Sequence, residues 1–352
     1  MNVKPLFKLM VEKKASDLFF TPFAPAKIKI DGKIMSVNKL EMTPKMVKQA
    51  AIELMTEDLL DTFTKELEVD FAISEPGLGR FRVNVFHQRG NVAMVLRYIT
   101  SEMPTLDELN MPAALKDLVM LKRGLVLMVG ASGNGKSTTL AAMINHRNVK
   151  TSSHIITIED PIEFLHSNEQ SIVNQREVGL DTKSYARALK SAMRAAPDVI
   201  QIGEIRDRES MQAALDMAGT GHLCLATLHS NNAPETLDRI INMFPQPQHG
   251  QVFMDLAHYL RAIISQRLVR ARTGKRVAAV ELMLNTPHIK DLILKGDISE
   301  VKEALKESGE KGVQNFDEAL LNLYQAGTIT LEEAMIHADS RSNLEAKVNF
   351  GS

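Results

Sequence analysis

The spacing of hydrophobic and polar positions changes several times along this chain, and each change marks an element. Lys27-Ile28-Lys29-Ile30 alternates, Asp31-Gly32 offers a tight turn, and Lys33-Ile34-Met35 starts back, which predicts a β-hairpin. Ser16 to Phe20 predicts a strand before it. From Thr43 to Phe63 the period becomes helical, with Met46, Ala50, Leu54, Leu59 and Leu60 on apolar faces, which predicts one helix. A second hairpin follows: Asp70 to Ser74, a turn at Pro76-Gly77-Leu78-Gly79, then Arg80 to His87, with a further strand from Asn91 to Ile99. Residues 1–99 therefore read as a small α+β domain of sheet and helix.

Residues 100–117, with Pro104 and Pro112, read as a linker that ends in a short helix. Over 118–280 short apolar runs alternate with helical stretches, the pattern of a parallel α/β core. Its strands are expected at Leu125–Val129, Ile155–Ile158, Val199–Ile202 and Leu223–Thr227, with a late one at Val280–Leu284. Asp181 to Ala196 predicts a helix, with Tyr185, Leu189 and Met193 spaced by four. Residues 281–352 read as mostly helical.

Composition narrows the class. The chain has 352 residues, 44% hydrophobic and 24% charged, enough for two cored domains. A formal net charge of -1 argues against a general nucleic-acid binder, and the lack of Trp, with 5% aromatics, against a base-stacking surface. No apolar stretch reaches the ~20 residues that span a bilayer. Met1-Asn2-Val3-Lys4-Pro5 lacks the apolar core of a secretory signal. Cys224 is the sole cysteine, which removes intrachain disulfides and cysteine-rich zinc sites. A cytoplasmic protein is expected.

The strand at Leu125–Val129 runs into Gly130-Ala131-Ser132-Gly133-Asn134-Gly135-Lys136-Ser137-Thr138, a complete G-x4-G-K-[ST] phosphate-binding loop between a strand and a helix. Gly130, Gly133 and Gly135 bring no side chain, so successive N–H groups can converge on phosphate oxygens. The helix start adds its dipole, Lys136 a point charge for the β- and γ-phosphates, and Ser137 a hydroxyl for Mg2+. ATP and Mg2+ are the expected ligands.

Three more segments put reactive side chains at strand ends, where open α/β sheets bind ligands. Glu159, Asp160 and Glu163 lie within five residues and suit a magnesium triphosphate and an attacking water, or form an ordinary acidic turn. Val199–Ile202 leads to Glu204, with Gly203 where an aspartate is usual and Gln201 as a polar interruption. His222 and His229 bracket the run Leu223–Leu228; each alone reads as structural, but beside a nucleotide loop both read as functional. In Arg80-Phe81-Arg82-Val83-Asn84-Val85 the arginines share one sheet face, either a solvated face or a phosphate clamp, with Arg97 a further candidate.

Ile158-Glu159-Asp160-Pro161-Ile162-Glu163-Phe164, Gln175-Arg176-Glu177-Val178, Gly203 to Asp207 and Gly221-His222 to His229 together resemble the type II/type IV secretion ATPase superfamily. Within it the chain is similar to the type IV pilus retraction ATPases, the PilT/PilU family, from Ser16 to about Asp339. The resemblance implies a PAS-like N-terminal domain, a RecA-like ATPase core, nucleotide between them and a hexameric ring. It implies a homo-oligomer that moves an inner-membrane platform protein, disassembles the pilus and drives twitching motility. Carried over to this chain, Lys136, Ser137 and Thr138 hold phosphates and magnesium, and Glu163 polarises the attacking water. Glu204 is the Walker-B glutamate on the metal–water network, and His222 and His229 are a pair that reports on the γ-phosphate. Whether Glu163 or Glu204 is the base stays open, as does which arginine reaches the γ-phosphate.

Extension ATPases of the superfamily carry an extra N-terminal domain and a four-cysteine zinc insertion, which a single cysteine cannot build. PilT-type chains end in an Ala-Ile-Arg-Asn-Leu-Ile-Arg-Glu helix. Here Pro287 to Lys295 keeps the apolar pattern without either arginine, and Gly296-Asp297-Ile298 follows, which resembles the PilU branch. The expected role is an accessory retraction motor that can work alongside a PilT partner ring, with no nucleic-acid partner. The alternative is a nucleotide-binding accessory subunit that hydrolyses little.

Overall fold

Strand pairing divides the chain into two sheets, and chain contacts divide it into two units: residues 1–102 with 162–165, and 103–161 with 166–352. A computed structural model describes residues 3–30, 32–308 and 312–350.

The first unit opens with α1 (Lys4–Glu12), which the sequence reading did not foresee. Its Phe7 and Met10 are fully buried, and Phe7 stacks on Phe81 with ring centroids 4.5 Å apart. Then come β1 (Asp17–Phe20), β2 (Pro25–Ile30) and β3 (Lys33–Glu41). The expected hairpin is present, since β2 and β3 pair antiparallel; Asp31 of its turn lies outside the described residues, as do Met1 and Asn2.

The single helix expected from Thr43 to Phe63 is two helices, α2 (Pro44–Leu54) and α3 (Glu57–Glu66). Met55 turns extended (ψ 145°), and the Thr56 hydroxyl accepts from the Leu59 N–H as a new N-cap. An apolar stripe continuous in sequence thus hides a break that a capping threonine makes. β4 (Glu68–Glu75), β5 (Gly79–Gln88) and β6 (Asn91–Ile99) complete a six-stranded sheet ordered β3-β2-β1-β6-β5-β4. Phe81, Val83 and Val85 of β5 point into the core, which leaves Arg80, Arg82 and Asn84 on the other face.

In the second unit, α4 (Ala114–Val119) precedes β7 (Gly124–Val129), all six residues of which are buried. Next are α5 (Lys136–Asn148), β8 (His154–Glu159), β9 (Ile172–Glu177) and α6 (Tyr185–Ala192). The helix expected over Asp181–Ala196 is therefore shorter. Ser184 caps it, Asp181 instead accepts from the Glu177 N–H, and Met193 lies past its end at 44% exposure. β10 (Val199–Ile202), α7 (Arg208–Gly219), β11 (Leu223–Leu228), α8 (Ala233–Asn242) and α9 (His249–Tyr259) follow.

β12 (Leu260–Arg270) starts where α9 ends, with no turn residue between them, and pairs antiparallel with β13 (Arg276–Leu284). Neither β9 nor β12 was expected from the sequence. The sheet order is β13-β12-β7-β11-β10-β8-β9, parallel except for β13. β7 is flanked by β12 and β11, which come late in the chain, so its carboxyl end opens at a switch in strand order. α10 (Pro287–Lys295), α11 (Val301–Glu307), α12 (Phe316–Gln325), α13 (Leu331–His337) and α14 (Arg341–Phe350) close the chain. α10 is capped by Thr286 and stopped by left-handed Gly296 (φ 77°).

Candidate functional site

The loop between β7 and α5 has the backbone that its glycines permit. Gly130, Gly133 and Gly135 adopt φ of 147°, 80° and 78°. A Cβ on Gly130 would come within 2.5 Å of the Gln266 carbonyl oxygen, so no side chain fits there. Lys136 is buried; its Nζ donates to the Gly130 oxygen at 2.8 Å and the Ala131 oxygen at 3.0 Å and so spans the loop. Ser132 and Gly133 are exposed on the loop, Asn134 is half-buried, and Ser137 lies exposed in the first turn of α5 with Thr138 half-buried behind it. The bare backbone, the helix start and the lysine fit a polyphosphate, and the exposed Ser137 hydroxyl fits a magnesium ion beside it.

β12 supplies a residue that sequence reasoning missed. Gln266 is 1% exposed; its Oε1 accepts from Thr139 Oγ1 at 2.8 Å and its Nε2 donates to the Asn134 oxygen at 2.7 Å. The run around it reads Ile264-Ser265-Gln266-Arg267-Leu268, whose polar centre conceals a buried strand.

Two strands from β7, β10 delivers Glu204. One carboxylate oxygen accepts from Arg206 Nε at 2.6 Å and the other lies 3.0 Å from His229 Nε2. Arg206 also reaches Asp160 at 3.5 Å. Among the candidates, then, Glu204 and His229 meet, and Arg206 and Asp160 extend the group. Gly203 is closed to a larger residue: a Cβ would lie 2.9 Å from the Tyr185 hydroxyl and 3.0 Å from the Ile158 oxygen. Burial, then the Asp160 carboxylate, push the Tyr185 phenol above its ordinary range, so it stays protonated as it packs there. Gln201 Oε1 is buried without a hydrogen-bond partner among the described residues.

His222 does not join this group within its chain. It sits at the amino end of β11, where its carbonyl accepts from the Gly124 N–H and its ring faces Thr220 and Met217. The phosphate loop is at the other end of β7. Seven residues of extended chain separate the two histidines by roughly 20 Å. Within a single chain the two histidines of the expected pair therefore lie at opposite ends of β11, with only His229 at the end where the phosphate loop lies.

Glu163 is exposed and belongs with the first unit, where the Leu165 N–H donates to the Thr100 oxygen. Arg82 and Arg97 face each other directly across β5 and β6. Asp17 holds Arg97 at 2.9 Å and Asp70 lies 3.7 Å from Arg82, which offsets the repulsion between them. Arg97 remains 70% exposed, and Arg80 shares its sheet face.

The chain is similar to known proteins over nearly its whole length. The family described as Type II/IV secretion system protein matches residues 2–290. The type IV pilus ATPase PilU of Pseudomonas aeruginosa is 51% identical, over 100% of this chain and 92% of that protein. The type IV pilus retraction ATPase PilT of the same organism is 40% identical, over 95% of this chain and 97% of its own length. A crystal structure of the pilus retraction motor PilT with bound ADP has a TM-score of 0.91 at 42% identity, covering 98% of this chain and 99% of that one.

Proposed function

The chain belongs to the type II/IV secretion family and, within it, to the PilT/PilU type IV pilus ATPases, and from that premise we propose that it is a motor ATPase of pilus retraction. The observation that carries the reading is the loop of residues 130–138, with Lys136 folded across it and the Glu204–His229 pair in the same unit. In the proposal Lys136 and the loop amides bind ATP phosphates. Ser137 would hold Mg2+, which would supply charge neutralisation, and Glu204 would belong to the metal–water network. Glu163 polarises the attacking water, His229 senses the γ-phosphate through Glu204, and Arg80, Arg82 and Arg97 act on the triphosphate.

The working form is a hexameric ring that acts on an inner-membrane platform protein from the cytoplasmic side, in the accessory role of PilU. The 51% identity to PilU against 40% to PilT supports that branch. No helix among the described residues is long and apolar enough to cross a membrane, in keeping with a peripheral motor. A second reading is a nucleotide-binding accessory subunit with little hydrolysis. It draws support from the Glu204 carboxylate, both oxygens of which are already engaged by Arg206 and His229.

Steady-state phosphate release with ATP and Mg2+, with and without single-stranded DNA, tests these readings. The motor turns over with or without DNA, and Lys136→Ala abolishes both binding and turnover. Tight nucleotide binding without turnover supports the accessory subunit. Absence of nucleotide binding by the unaltered protein overturns both.

A further inference from the structure

We propose that Gln266 is a positioning residue that holds the phosphate-binding loop in its anion-cradling shape, so that nucleotide affinity depends on a side chain outside the motif. The proposal rests on the reading of that loop as the nucleotide site.

A glycine-rich loop has more backbone freedom to lose than any other segment, and something must hold it before the ligand arrives. Inside the loop there is little to do so: the Asn134 N–H reaches the Ala131 oxygen only at 3.4 Å. Lys136 braces the loop with an ammonium that a phosphate would draw away. β12 supplies a support that a ligand does not compete for. Ser265 is in register with Val129, the last residue of β7, so Gln266 falls beside Gly130, where the loop begins.

Its backbone oxygen lies against Gly130, and its Nε2 is 2.9 Å from where a Cβ on Gly135 would stand. Its amide then bonds in two directions, donating to the Asn134 carbonyl at the crown of the loop and accepting from Thr139 in the first turn of α5. One planar group therefore fixes the loop against the helix that follows it. A carboxylate of the same length would set oxygen against the Asn134 oxygen, and an aliphatic chain would leave the Thr139 hydroxyl buried and unmatched and the half-buried Asn134 oxygen without this donor. The Leu268 N–H adds a longer contact to Asn134 Oδ1, at 3.4 Å.

The test compares Gln266→Met, Thr139→Val and the double variant in the full-length protein. ADP and ATP dissociation constants, kcat and KM are measured together with the melting temperature in the absence of nucleotide. Gln266→Met should weaken binding of both nucleotides about tenfold or more, the scale of two lost hydrogen bonds in a buried site, and kcat at saturation should change far less. Thr139→Val should weaken binding a few-fold, and the double variant should be no worse than Gln266→Met, because both act through one contact. An affinity within twofold of the unaltered protein in Gln266→Met overturns the proposal, even if the melting temperature falls. Should that variant not fold, Thr139→Val decides: a few-fold loss sustains the proposal and unchanged affinity overturns it. Lys136→Ala serves as the control, since its loss of binding keeps the nucleotide reading intact whatever Gln266 does.

Discussion

Glu281 offers a pH-dependent test of the packing behind the site. It lies on β13 opposite Ser265, is 4% exposed, and its Oε1 accepts from the Ala233 N–H at 2.9 Å and from Ser265 Oγ at 3.0 Å. It thereby ties the start of α8, four residues past His229, to the residue next to Gln266. Burial outweighs those hydrogen bonds and pushes its carboxyl from 4.5 up to about 7. The folded protein thus holds a proton that the unfolded chain releases between about pH 4.5 and pH 7. Over that window stability falls as pH rises, and above it the cost is complete, at about 3 kcal/mol.

Glu281→Gln keeps the accepting oxygen and cannot ionise. It should match the unaltered protein near pH 4.5 and exceed it progressively toward pH 8. At about 2–4 °C per kcal/mol the gap at pH 8 corresponds to about 6–12 °C in Tm, less whatever the new amide loses if its N–H groups go unmatched. Thermal melts by circular dichroism at half-unit pH steps would follow it. A gap that stays constant with pH, or a variant that loses stability relative to the unaltered protein as pH rises, refutes the buried-acid reasoning.

Gly203→Ala should destabilise by about 1–3 kcal/mol in urea unfolding, because its methyl meets the Ile158 oxygen at 3.0 Å, and Gly203→Asp should cost more. An aspartate variant of unchanged stability would show that the site accommodates the usual acid after all. Arg82→Ala should lower kcat by about a hundredfold or more while nucleotide affinity changes little, as expected of a cation that acts on the transition state. Equal losses in affinity and turnover, or none in either, count against the clamp.

The phosphate-binding loop was legible in the sequence because its geometry is local: glycines that adopt positive φ, a buried strand before them and a helix after. The β5 alternation was legible for the same reason, and so were the strands at 155–158 and 199–202. Polar residues inside buried strands were not. Gln266 and Glu281 interrupt the apolar runs of β12 and β13, and only the pairing of those strands beside β7 gives each a partner. Thr56 split an unbroken apolar stripe through a cap that hydrophobic period does not report.

The bracketing of one strand and the family resemblance also grouped His222 with His229, whereas they lie at opposite ends of β11, and His229 sits on Glu204, a residue just past the neighbouring strand β10. Residue type and short-range spacing fix what a segment can do with its own backbone. Strand order and register, set by burial summed over the whole sheet, decide which distant polar groups meet.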